Sequence, residues 1–331
     1  MSQSSLLKLL KSALDDKHVS KLAVVQKLWS DYGEIARYYS PELAENIIVK
    51  HVSPPTRVHH PRGWNSQISH QRKLLSYQIE ARFYQEFAIQ CDTFCRVPSL
   101  ITCIDSSVQH SNEQQMLVLE DLDFAGFTER RSYSNMREAK LCIRWLAYFH
   151  ARFLHTRTEN LWPVGTYWHL STRQDELAVM PEGKLKQQAA KIDSRLNKAR
   201  FQTLVHGDAK LANFCFTQNT EHVAALDFQY VGQGAGVKDL AYLLGCCFDD
   251  NELFLYEEQI LGYYFQQLAA GLTHYNVSCD VMLLEAEWRI LYAFAWADFL
   301  RFLQGWSPGH YKINSYMQYQ TDIALGLLEK G

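Results

Sequence analysis

The sequence predicts an α+β protein in two lobes: a small lobe with an antiparallel sheet and one long helix, then a larger, mainly helical lobe. Three observations predict it. At 331 residues the chain exceeds one typical domain. Strand-like runs crowd into the stretch before Asp121, apart from a short polar hairpin near residues 203–229. From Ser134 onward the apolar spacing is otherwise helical.

Taken in order, Ser5–Leu14 carries five leucines at amphipathic-helix spacing, and Leu22–Trp29 and Ile35–Tyr39 are strand-like runs joined by the turn Ser30–Glu34. Asn46–Val52 is a third strand, in which Lys50 alone interrupts the apolar run. Pro54–Asn65 is a loop rich in Pro, His and Arg, read as solvated rather than as a flap over a ligand. Ser69–Gln90 has long helical spacing through Leu74, Leu75, Ile79, Phe83 and Phe87. Val97–Ile104 and Gln115–Leu119 close the strand set, and the lobes divide at about Asp121–Phe124, as residues 1–121 and 122–331.

The second lobe opens with a helix over Ser134–Thr156, whose stripe includes Leu141, Trp145, Phe149 and Phe153. His150 on it reads as a packing histidine, not a catalytic one. A loop over Leu161–Leu170 and one or two charged helices over Asp175–Arg200 follow. The C-terminal third is helical and aromatic, with Trp288, Tyr292, Trp296, Phe299, Phe302 and Trp306 recurring every three or four residues. Such a stripe is either core or a box for a cationic ligand, and core is the plainer reading. Acidic residues of this region, among them Glu257 and Asp298, read mostly as a solvated face.

Composition narrows the function. Hydrophobic residues make up 47% of the chain, enough for a sizeable core, and the net charge of −3 gives no electrostatic case for nucleic acid or a membrane surface. Eight cysteines without a paired CxxC argue against disulfides and structural zinc and suggest a reducing compartment. No signal peptide or membrane-spanning run is visible, so a soluble cytoplasmic protein is expected, with no obligate protein partner evident.

The informative stretch is Leu204–Gln229. The apolar pair Leu204-Val205 delivers His206-Gly207-Asp208, Asn213 follows five residues later, and Asp227 follows after a hairpin signal over Asn213–Leu226. Such a hairpin brings Asn213 and Asp227 together beside Asp208. Two carboxylates and an amide oxygen, with no Cys or His among them, suit Mg²⁺.

His206-Gly207-Asp208-x-x-x-x-Asn213 with Asp227-Phe228-Gln229 resembles the catalytic loop and metal-binding segment of the protein-kinase-like fold. The His-Gly-Asp form is similar to its small-molecule branch: aminoglycoside phosphotransferases, choline kinases and ecdysteroid-kinase-like phosphotransferases. The resemblance implies a two-lobed kinase-like fold that uses ATP and Mg²⁺. Asp208 would accept a hydroxyl proton, with Asn213 and Asp227 holding the metal.

It also implies roles upstream. Lys50 would hold the α- and β-phosphates, paired with a helix glutamate. Glu80, in Glu-x-x-Phe-Tyr, is preferred over Glu86, which falls on another helix face. Gly33 is the single glycine where the fold covers phosphates with a Gly-rich loop. Glu120, ending Leu-Val-Leu-Glu-Asp-Leu, is placed at the segment that meets adenine. Asp239 reads as a first-turn helix residue that buttresses the catalytic loop.

The segment from Asp227 to Asp239 is too short for a protein-docking activation segment, and Gly207 replaces the arginine of His-Arg-Asp. The resemblance therefore implies a small-molecule alcohol as acceptor. A nucleotide-binding pseudokinase, a protein kinase and a metal-dependent phosphohydrolase are the alternatives.

Overall fold

The computed structural model describes residues 3–28, 31–54, 66–105 and 115–330. The Arg/His-rich part of the loop expected over Pro54–Asn65, residues 55–65, lies outside them, as do Trp29, the last residue of the first strand-like run, and Ser30 of the turn after it.

Five strands form one antiparallel sheet: β1 (Ser20–Lys27), β2 (Gly33–Ser40), β3 (Glu45–Val52), β4 (Leu100–Asp105) and β5 (Gln115–Glu120), in the order β1-β2-β3-β5-β4. Strand alternation sorts the faces. Ile47, Val49, Met116 and Val118 pack with Leu6 and Leu10 of α1 (Gln3–Ala13), while Lys50, Leu117 and Leu119 point to the opposite face. That face is covered by α2 (Ser66–Arg82), which continues as a π turn over Phe83–Phe87 and a 3₁₀ turn over Ala88–Gln90. The fourth strand is shorter than expected. Thr93–Cys95 is a 3₁₀ turn capped by Asp92, and the strand begins only at Leu100.

The second lobe is built on α3 (Met136–Arg152), α4 (Gln174–Val179), α5 (Lys184–Asn197), α6 (Val237–Cys247), α7 (Asp250–His274), α8 (Val281–Trp306) and α9 (Ser315–Lys330). Asn135 with Glu138, and Asp249 with Glu252, form capping boxes that start α3 and α7. The α8 stripe is core: Trp288, Tyr292, Trp296, Phe299 and Phe302 are all buried. Two acidic residues expected to be solvated are not. Asp298 is buried against Arg301, and Glu257 accepts from Tyr316 and Gln320.

Two short ribbons lie between the lobes. β6 (Thr203–Val205) pairs with β9 (Gly232–Gly234), and β7 (Phe214–Phe216) pairs with β8 (Val223–Ala225). The stretch 232–234 can pair as a strand because Gly232 lets the Trp162 carbonyl approach; a Cβ there would stand 2.3 Å from that oxygen.

An aromatic joint locks the lobes together. Phe83, at the end of α2, stacks on Phe228 with centroids 3.9 Å apart, and Phe228 lies against His206, Phe149 and Trp145. Replacing Phe83 with Ala empties a fully buried site and should cost about 3–5 kcal/mol, seen as a clear fall in the thermal midpoint. An unchanged midpoint would show the joint to be dispensable.

Candidate active site

β6 ends by delivering residues 206–208 into the space between the lobes. Gly207 has φ +80°, and a Cβ there would lie 2.0 Å from the Tyr230 carbonyl oxygen, so only glycine fits. The loop is held from below by Asp239 in the first turn of α6. Its carboxylate accepts the His206 N–H at 2.5 Å and the Gly207 N–H at 2.9 Å. His150, fully buried, sits 3.2 Å from the same carboxylate and 2.8 Å from the Tyr264 hydroxyl.

The His206 ring is fixed from both ends. Nδ1 accepts the Asp208 N–H at 3.2 Å, so Nε2 carries the proton and donates to the Leu226 carbonyl at 3.1 Å. Burial lowers its pKa and keeps it neutral. The imidazole thus couples the 206–208 loop to the strand that leads to Asp227.

Asp208 is 6% exposed. Its Oδ2 accepts from Lys210 Nζ at 2.9 Å and Asn213 Nδ2 at 3.2 Å. Asn213 Nδ2 also donates to the Asp208 carbonyl at 2.8 Å, which turns Asn213 Oδ1 away from Asp208. Asp227 follows β8 in a left-handed conformation, φ 72°, costly for a non-glycine residue and held in place by its neighbours. Its Oδ1 accepts from Gln229 Nε2 at 2.7 Å, and Gln229 Oε1 accepts from Ser76 of α2 at 3.2 Å.

From the small lobe, Lys50 Nζ lies 2.5 Å from Glu80 Oε2 and 3.7 Å from Asp227 Oδ1, with the lysine and Glu80 almost fully buried. Burial disfavours the ammonium, but the two carboxylates outweigh it and raise Lys50. Glu86 is not part of this cluster; it is exposed beside Asn160.

Burial, with Asp227 nearby, pushes Asp208 above the usual carboxylate range, against the pull of Lys210. Burial acts on Asp227 too, but the charges of Lys50 and Lys210 hold it below its ordinary value. The environment thus pushes the two carboxylates in opposite directions.

Lys50, Glu80, Asp208, Asn213 and Asp227 therefore converge, while Gly33 and Glu120 stand at the margins. Gly33 opens β2 with φ +133°, its Cα against the His51 carbonyl. Glu120 is turned away from a recognition role at its side chain: the carboxylate meets Arg96 and the Ser99 N–H at 2.8 Å, and its own N–H donates to the Ser99 carbonyl at 3.0 Å. Beside it, Asp121 accepts from Arg37 of β2.

Sequence reasoning missed Lys210 and Gln229. A lysine two residues after a buried aspartate was the available signal for the first. For the second there was none, because its partner Ser76 is far away in sequence. It also missed Tyr167 and Tyr242, whose rings pack 5.6 Å apart and feel the charge of Asp208.

Hydrogen-bond donors, aspartates and a buried lysine at a lobe junction fit phosphoryl chemistry, and the comparison with protein families decides the kinship. The ecdysteroid kinase-like family model matches residues 59–161 and 163–277, well over half of the chain. The chain belongs to the ecdysteroid kinase-like family. Membership places it among small-molecule phosphotransferases of the kinase-like fold. Glu80, Glu120, Asp208, Asn213 and Asp227 fall inside the matched span, whereas Gly33 and Lys50 precede it. No curated protein matches the chain.

Substituting Asp239 with Ala leaves two buried N–H groups without an acceptor, at about 1–3 kcal/mol each. Faster amide hydrogen exchange at residues 206–208 is the expected result. Unaltered protection there would mean that the loop stands without its carboxylate support.

Proposed function

We propose that the protein transfers the γ-phosphoryl group of ATP, with Mg²⁺, to a hydroxyl of a small molecule. The observation that carries this reading is the convergence of Asp208, Asn213 and Asp227 with the buried Lys50–Glu80 pair, 3.7 Å from Asp227 on the lysine side.

The residues fit a hard divalent cation. Asn213 Oδ1 has no donor among the described residues, Asp227 is anionic and 26% exposed at its side chain, and no group of three His, Cys, Asp or Glu ligands competes nearby among those residues. Two protein oxygens suit Mg²⁺, which keeps several waters and takes phosphate oxygens. Bound at Asn213 and Asp227, it supplies charge neutralisation of the phosphates.

The chain's own groups do the rest. Asp208 Oδ2 is committed to Lys210 and Asn213, so Oδ1 is the atom that receives the acceptor's proton. Lys210, kept charged by Asp208 and Asp227, stands where negative charge gathers on the transferred group. Lys50, fixed by Glu80, positions the inner phosphates. Tyr167 and Tyr242 give the acceptor side an aromatic wall. Rate comes from orientation and electrostatics, since phosphoryl transfer asks for little covalent help.

The acceptor is read as a free small-molecule alcohol, with no nucleic acid, membrane or obligate protein partner. No helix among the described residues is long and apolar enough to cross a membrane. A nucleotide-sensing pseudokinase is the runner-up, disfavoured because lysine, loop aspartate, loop asparagine and metal aspartate are all present.

ADP release from Mg·ATP should require one member of a panel of choline, ethanolamine, aminoglycosides, sugars and sterols; phosphate release without acceptor would favour a hydrolase. With that acceptor, Asp208→Ala should cut turnover by about 10²–10⁴ while nucleotide still binds. Wild-type turnover in this variant would sink Asp208 as the base. Asp227→Ala should instead abolish the Mg²⁺ dependence of nucleotide binding, and calorimetry showing that dependence intact would remove it as a ligand.

A further inference from the structure

We propose that Lys73 is a second phosphate-binding cation of the cleft, taking the terminal phosphate of the nucleotide beyond the reach of Lys50. The proposal rests on the phosphotransferase reading and adds one residue to it.

Lys73, Tyr77 and Glu80 are spaced four and three residues apart on α2 and so share one helix face. It is the face whose Glu80 holds Lys50. The Lys50 ammonium lies 5.4 Å from the centroid of the Tyr77 ring, and the Lys73 ammonium lies 5.1 Å from the same ring. One buried ring therefore carries two cations. Glu80 pairs with Lys50, but among the described residues no carboxylate pairs with Lys73. The Tyr77 hydroxyl is also buried without a described partner. Two ammonium groups thus gather on one ring, and the carboxylates within ion-pair reach, Glu80 and Asp227, are both on the Lys50 side, so Lys73 is left for a polyanion to complete.

Position indicates which phosphate. Lys73 lies two helical turns before Glu80, about 10 Å along the axis. Its neighbour Arg72 donates to the Thr172 carbonyl at 2.8 Å, and Arg173 next to that carbonyl lies over the Tyr167 ring of the acceptor wall. Lys73 thus stands between the lysine of the inner phosphates and the acceptor side, where the terminal phosphate must lie. The turn before β2 is tied to this helix face as well. Tyr32 meets His70 through its hydroxyl and packs 6.2 Å from Tyr77. With Gly33 as its single glycine, that turn is held by side chains, and α2 supplies the cation from beneath.

Burial and the neighbouring Lys50 lower Lys73 to about 8, with Arg72 adding to the effect and Asp227 and Glu80 opposing it. A phosphate beside it favours the charged form. Near pH 8 a good fraction of empty clefts lack that proton, so nucleotide binding takes one up.

The test is calorimetry of the full chain with Mg·ATP, ADP and AMP near pH 8, in two buffers of different ionisation enthalpy. Lys73→Met should weaken Mg·ATP by about 10–100-fold, weaken ADP less, leave AMP unchanged and remove the proton uptake. Lys73→Arg should restore most of the ATP affinity without the proton uptake. Wild-type affinity and wild-type proton uptake in Lys73→Met would overturn the proposal. If the Met variant does not fold, proton uptake that persists in Lys73→Arg overturns it equally. A wild-type chain that binds no Mg·ATP defeats the nucleotide reading itself, a result distinct from indifference at residue 73.

Discussion

The carboxylate of Asp239 is the constraint on which the site depends. It accepts two successive amides of the 206–208 loop and also meets His150, which Tyr264 holds. A carboxylate that binds backbone N–H groups inside a core must be carried by a rigid element, and the first turn of α6 is one. With the loop fixed, Gly207 can tolerate its contact with the Tyr230 carbonyl and His206 can bridge to Leu226. Asp208 then has one direction in which to point.

Across the cleft, the second organising pair is Lys50 and Glu80. A lone buried ammonium is expensive, and so is a lone buried carboxylate. Together, with Asp227 close by, each offsets the cost of burying the other. The Ser76–Gln229–Asp227 chain of hydrogen bonds repeats this connection through neutral groups. Two independent links thus join α2 to the segment after β8.

Much of this was legible in the sequence because it is local. The lysine in an apolar strand, the His-Gly-Asp turn, the asparagine five residues on and the aspartate after a hairpin all lie within short windows, where strand alternation and turn chemistry decide geometry. The start of the fourth strand was misread because Val97 is apolar for a different reason: it packs into the core from an irregular segment. Asp298 lies one turn from Arg301 on α8, and what the sequence does not reveal is that both are buried there, whereas Glu257 of α7 meets Tyr316 of α9 only once those helices pack. Glu120 ends β5, and nothing local revealed that Arg96 would claim its carboxylate. Lys210 and Arg301 are local partners that pattern alone does not single out; Ser76–Gln229, Arg96–Glu120 and Glu257–Tyr316 escaped because they join distant stretches of chain.

The Phe83–Phe228 stack has a further consequence. Many phosphotransfer switches work by swinging the glutamate-bearing helix away from the lysine. Here such a swing would strip Phe228 of its stacking partner and open a gap among His206, Phe149 and Trp145, all of them fully buried. Exposing that much aromatic surface costs several kcal/mol. The resting molecule is therefore an assembled one, with no idle posture of its own to be released from. On the phosphotransfer reading proposed above, turnover would then follow the supply of acceptor and nucleotide rather than a swing of α2.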